Sequence, residues 1–180
     1  MPSGATHDQI TLSCLPIVGG LGLAVTHSAS ITLSLTGSFL FSGLMFGPDL
    51  DIYSVQFKRW GLLRWLWLPY QKGLQHRSWL SHGPIVGTLG RLVYLGLWGL
   101  ICAAIALSLG LMTRWLAWDW QVIFTLKGHL LTVGGQYPWE IGGALLGLEL
   151  GAMSHSLSDV LGSVWRNLRK RRSRFRSKRS

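Results

Sequence analysis

Residues 92–113 read LVYLGLWGLICAAIALSLGLMT, a run of twenty-two residues without a charge between Arg91 and Arg114. A bilayer's hydrocarbon core, about 30 Å thick, takes about 20 apolar residues of helix. This run therefore predicts a membrane span. Upstream, forty residues between Asp8 and Asp49 contain no Asp, Glu, Lys or Arg. As one helix they would measure roughly 60 Å, about twice the core thickness. Two spans, Ile10 to Val25 and Ile31 to Phe46, fit instead, joined by the polar turn Val25-Thr26-His27-Ser28-Ala29-Ser30. Downstream, Trp139 to Val164 is apolar but holds Glu140, Glu149, His155 and Asp159. Ionisable residues inside a span are costly and mark a functional site by default. Trp115, Trp118, Trp120, Trp139 and Trp165 stand where these spans should end, as an interfacial belt requires. The fold class expected is all-α, a polytopic membrane helical bundle of about four spans.

Composition agrees. Of 180 residues 48% are hydrophobic and 13% charged, against about 25% charged in soluble domains, which argues against an ordinary soluble enzyme. Ten Trp, six Phe and four Tyr exclude disorder throughout. Cys14 and Cys102 sit in apolar runs without metal-ligand spacing, so neither a disulfide framework nor a thiolate zinc site is indicated.

The net charge of +10 is concentrated at one end, with nine of the seventeen Lys and Arg between Arg166 and Ser180. The reading is a membrane-embedded domain over 1–165 and a basic, disordered cytoplasmic tail over 166–180. After an apolar helix such a cluster suits anionic lipid head groups better than nucleic acid, since no basic fold accompanies it. The loop from Asp49 to Arg91 holds Lys58, Arg59, Arg64, Lys72, Arg77 and Arg91. The positive-inside rule puts loop and tail in the cytoplasm, and four spans return both termini there. The expected location is a bacterial inner membrane or thylakoid, with membrane lipids as partners. Within the loop, Arg59 to Tyr70 is too short to span and carries Trp and Arg, predicting a short amphipathic helix in the interface. The absence of Lys and Arg before Lys58 argues against a cleaved signal.

Given that topology, His7, Asp49, Asp51, His76, His82, His155 and Asp159 all fall towards the cytoplasmic face, whereas His27 and His129 lie in outer connections. His155 and Asp159 are four apart, on one helical face with Cβ atoms about 5–6 Å apart, close enough to clasp a cation or to form an ordinary hydrogen-bonded pair. His76 and His82 are six apart and meet at one site through a turn or serve neighbouring metals. Asp49-Leu50-Asp51 follows a Gly-Pro turn and offers hard oxygen ligands, or else an Asx-turn or helix cap. Imidazole and carboxylate without thiolate suit a divalent ion, Zn first, with Mn, Fe or Ni alternatives. Seven candidates exceed the needs of one tetrahedral zinc, so one or two ions per chain are accommodated.

The stretches Met1 to Asp8, Gly43 to Asp51, His76 to Gly83 and Gly151 to Asp159 resemble the uncharacterised bacterial metal-binding proteins of domain of unknown function 2227, abundant in cyanobacteria. The resemblance covers nearly all of the chain except the tail. The motif order, an early His, Pro-Asp-x-Asp, His-Arg-x-x-x-x-His and His-x-x-x-Asp, is also similar to predicted membrane-bound metal-dependent hydrolases. More distantly it is similar to the helical zinc-dependent phospholipase C and nuclease fold, whose processed N-terminal Trp has no counterpart here. The resemblance implies that His7, Asp49, His76, His82, His155 and Asp159 are metal ligands, with Asp51 a further ligand or a carboxylate behind them. Two functions follow as expectations: a membrane-bound hydrolase of a phosphoester or lipid-like substrate, with Arg77 as an anion clamp or a mere topology residue, or a non-catalytic metal-binding membrane protein serving structure, sensing or transport. Glu149, rotated about 120° from His155, is expected behind the ligands or as a proton acceptor.

Overall fold

The computed structural model of the protein describes residues 4–76, 78–113 and 120–177, with side chains for all but Trp120, Val122, Ile123 and residues 165–177. Arg77, Trp115 and Trp118 lie outside the described residues, as do the side chains of Trp120 and Trp165. Trp139 is exposed. Every regular element among the described residues is helical.

Helices α1 (Gly4–Thr26) and α2 (Ala29–Leu44) form the expected hairpin. His27 takes a left-handed conformation (φ 51°) between them, and Ser28 caps α2 by accepting from the Ile31 amide. α1 starts at Gly4, before the predicted span, so that His7 is already helical. Gly47 and Pro48 end α2, because proline cannot continue a helix and disfavours helical geometry in the residue before it. A 3-10 turn, Pro48–Asp51, follows.

The loop then folds into a small cap. α3 (Val55–Arg59), a 3-10 helix (Gly61–Trp67), α4 (Leu68–Gly73) and α5 (Trp79–His82) lead into the long α6 (Val86–Met112). Leu50, Phe46, Phe57, Trp67 and Tyr70 form one buried core against Leu92, Tyr94 and Leu95 of α6. Each such side chain, fully buried, is worth roughly 1.5–3 kcal/mol. The single amphipathic helix expected over 59–70 is divided instead among the end of α3, the 3-10 helix and the start of α4. Gly61, at φ +55°, turns the chain out of α3. Trp67 faces inward while Leu62, Leu63 and Trp65 stay exposed.

α7 (Trp120–Gln136) occupies much of what the sequence presents as an outer connection, and His129 lies exposed on it. α8 (Pro138–Ser177) runs parallel to α2 and packs closely on it. A Cβ added at Gly147 would stand 2.1 Å from the Leu35 carbonyl oxygen, and one at Gly151 would stand 2.5 Å from that of Phe39. Small residues spaced by four thus bring two backbones together, a device of membrane helix packing. The Ser42 hydroxyl adds a 2.6 Å bond to the Leu148 carbonyl. α8 carries on through residues 166–177, where the sequence suggests disorder. No Gly or Pro follows Gly162 to stop the helix, and basic residues suit a helix C-terminus.

Three segments, Gly4–Thr26, Ala29–Asp51 and Val86–Met112, are long and apolar enough to cross a membrane. The acidic residues of α8 hold the fourth candidate below that standard. α1 and α6 run one way and α2 and α8 the other, which gathers the start of α1, the cap and the His155 stretch of α8 at one end of the bundle.

Candidate metal centre

All seven predicted residues meet at that end. The middle of α8 presents the buried His155 and Asp159 one turn apart, and the start of α1 brings His7 against them. The His7 and His155 rings stack with centroids 3.8 Å apart, and His7 Nε2 lies 3.4 Å from Asp159 Oδ1. These three form one group of potential ligands, all buried. Asp49, His76 and His82 form a second, more open group. Within each, the ligand atoms lie within 4.8 Å of one another.

Asp49, a member of the second group, also reaches the first. Its Oδ2 is 3.1 Å from His155 Nε2, and its Oδ1 is 3.7 Å from His82 Nε2. Its position follows from local folding. Leu50 is fully buried in the cap core, and Gln71 Nε2 donates to the Leu50 and Ile52 carbonyls at 3.1 and 2.8 Å. The turn is thereby pinned, with a carboxylate on either side of Leu50. Asp51, also buried, does not join either group. It binds His76 Nδ1 at 2.9 Å, and its other oxygen lies 3.7 Å from His82 Nδ1.

The surroundings fix the imidazoles. The Ser158 hydroxyl donates its hydrogen to the His155 carbonyl at 2.7 Å, so at 2.6 Å it accepts from His7 Nδ1–H, and the lone pair of Nε2 is left facing Asp159. Ser81 Oγ donates to the Ser78 carbonyl and lies 2.9 Å from His82 Nδ1, which directs His82 Nε2 to Asp49. The Gln56 amide lies 3.5 Å from His155 Nδ1 and donates to the Gly43 carbonyl. Gly47 makes room for it, since a Cβ there would fall 2.4 Å from Gln56 Nε2. Holding the second ring nitrogen in this way is how proteins orient metal-ligating histidines.

These residues fit a divalent ion. His155 Nε2, His82 Nε2, Asp49 Oδ1 and Asp51 Oδ2 are buried and make no hydrogen bond, whereas buried polar atoms are nearly always paired. The paired ligand atoms stand 3.1–3.7 Å apart, close to the roughly 3.3–3.6 Å edge of a tetrahedron around zinc with bonds of about 2.0–2.2 Å.

Two neighbouring carboxylates lie outside the groups. Glu149 faces neither group and accepts from the Ile85 amide at 2.8 Å. Asp8, beside His7, pairs through both carboxylate oxygens with Arg59, which also donates to the Leu44 carbonyl at 2.8 Å. That contact ties α1, α2 and α3 together, and the hydrogen bond to Asp8 raises the Arg59 pKa. Gln56, Ser81 and Arg91 support the centre without a motif to mark them, and Arg91 donates to the Ser81 carbonyl at 3.0 Å and holds the last turn of α5. Only Arg91's place at the mouth of a span was a usable signal.

The family model described as "Uncharacterized metal-binding protein (DUF2227)" matches residues 2–169. An "Uncharacterized protein" of Aquifex aeolicus (strain VF5) is 40% identical over 62 residues, 34% of this chain and 40% of that protein. The match thus spans about two fifths of that relative's length. No solved structure gives a significant match.

Proposed function

The chain belongs to this family of metal-binding proteins, and from that premise we propose that it holds two divalent ions bridged by Asp49. The observation that carries this reading is the reach of one carboxylate into both ligand groups. His7, His155, Asp159 and Asp49 hold one ion, and Asp49, His76 and His82 hold the other, with Asp51 behind them. The first group is closed, its imidazoles 3% and 6% exposed, while His76 is 30% exposed. Closed sites are structural and open ones catalytic as a rule. Zinc suits the donor set best.

The activity proposed is hydrolysis of a phosphoester or lipid-like substrate at the cytoplasmic membrane face. Bound ions would lower the pKa of a water towards neutrality and polarise a phosphoryl oxygen. The chain's own part is to hold ligand geometry, as Ser158, Ser81 and Asp51 do, and to keep the His76 side open. α8 is read as a fourth span, supported by partners for its acidic residues: Glu140 with Ser30, Glu149 with the Ile85 amide and Asp159 with His7. The exposed Leu62, Leu63 and Trp65 are read as lying in the interface, and the basic end of α8 as meeting anionic head groups.

The test is hydrolysis of a chromogenic phosphodiester and monoester by the purified chain with zinc. Turnover lost on chelation and in His82→Ala, with fold retained, supports the reading. A metal-loaded chain inactive on both favours the non-catalytic alternative, to which the closed first group lends itself.

A further inference from the structure

Beside the candidate metal centre, and sharing His82 with it, a pocket of about 180 Å³ opens between the α5–α6 junction and α8. Pro48, next to the bridging Asp49, lines it, as does Arg91. Arg91 is 1% exposed. Two of its nitrogens are fixed, Nη1 on the Ser81 carbonyl at 3.0 Å and Nη2 on Thr88 Oγ1 at 3.1 Å, while Nε makes no hydrogen bond. Burying an ion is costly, and hydrogen bonds to the charged group offset part of that cost. Fastening the last turn of α5 engages two of the three guanidinium nitrogens and the Phe46 ring faces its charge, 5.6 Å from ring centroid to Cζ, while Nε is left without a hydrogen bond. Among the described residues no carboxylate makes an ion pair with it.

The rest of the pocket is mixed. Leu157 and Val160 of α8 line it and are more than half exposed, so it opens on the outer, apolar face of that helix. Glu149 also lines it, with one oxygen engaged by the Ile85 amide. Two divalent ions would outweigh Asp49, Asp51 and Asp159 by one positive charge, and Arg91 offsets Glu149. The loaded centre therefore favours an anion.

We propose that this pocket is the substrate pocket of the metal centre and receives a phosphate ester with an apolar chain, the phosphate seated at the wall formed by His82 and Arg91 and the chain lying along Leu157 and Val160. The proposal rests on the metal reading above. Lipid and soluble sources share the phosphate and differ in the chain.

The full chain in detergent, loaded with zinc, is titrated calorimetrically with inorganic phosphate and with butyl phosphate, and the metal content of every sample is measured. Butyl phosphate is expected to bind at least about tenfold more tightly, the worth of roughly two buried methylenes. Glu149→Gln keeps an oxygen for the Ile85 amide and removes a charge, so both ligands should bind more tightly. Leu157→Trp, at an exposed position, should erase the butyl advantage and leave inorganic phosphate unchanged. Arg91→Lys should weaken both at least about tenfold, through loss of the planar donor. No binding to the loaded chain, no butyl advantage, or no response to Glu149→Gln and Leu157→Trp with metal content intact overturns the pocket assignment and leaves the metal reading standing. Absence of metal overturns the reading beneath it.

Discussion

Ser158 shows how a neutral residue sets the chemistry of a charged one. Its hydrogen is committed to the His155 carbonyl, so His7 must present Nδ1–H to it and Nε2 to the centre. Ser158→Ala should leave the helix intact and weaken metal binding by about 10–100-fold, the usual effect of losing a group that orients a ligand. Competition against a chromophoric chelator measures it, and unchanged affinity would contradict the assignment. Gln56→Leu should act on His155 in the same sense, by a smaller factor because its contact is long at 3.5 Å. The seven candidate ligands were legible in the sequence because charged and imidazole residues are scarce in this chain, and the spans sort them to one end. Ser81, Ser158 and Gln56 were not legible as orienting groups, because uncharged polar residues recur throughout and only contact distinguishes them.

At the level of elements, the α2–α8 contact holds the two halves of the centre in register. Gly147→Ala would force a Cβ to 2.1 Å from a backbone oxygen, which no rotamer change relieves. It should destabilise the fold by about 1–3 kcal/mol, as overpacking does. Gly142→Ala, where an added Cβ meets nothing within 4 Å, should be neutral or slightly stabilising through helix propensity. Thermal unfolding in detergent separates them, and equal midpoints would contradict close packing. α6 and the α1–α2 hairpin were legible from the spacing of charges, with ends displaced by a few residues. The cap was not: α3, α4 and α5 are four to six residues each, too short for a periodic pattern, and the burial of Trp67 depends on Tyr94 and Leu95, distant in sequence. The helical course of residues 166–177 is marked in the sequence only by the absence of Gly and Pro after Gly162, a signal that the density of charge obscures.

For the molecule as a whole, the cap with its Lys58, Arg59, Arg64 and Lys72 and the candidate ligands share one end, which the topology proposed above expects in the cytoplasm. After replacement of Cys14 and Cys102 by Ser, Lys58→Cys should resist an impermeant thiol reagent in intact cells, whereas Gln136→Cys should react. The reverse pattern would invert the topology. The central claim, two ions joined through Asp49, is tested most directly by elemental mass spectrometry of the chain purified without chelators. Two divalent ions per chain are predicted, one remaining in His155→Ala/Asp159→Ala and one in His76→Ala/His82→Ala, with Asp49→Ala weakening both. Negligible metal in the folded parent, or two ions retained in every variant, would contradict it and leave the cluster as polar packing between helices.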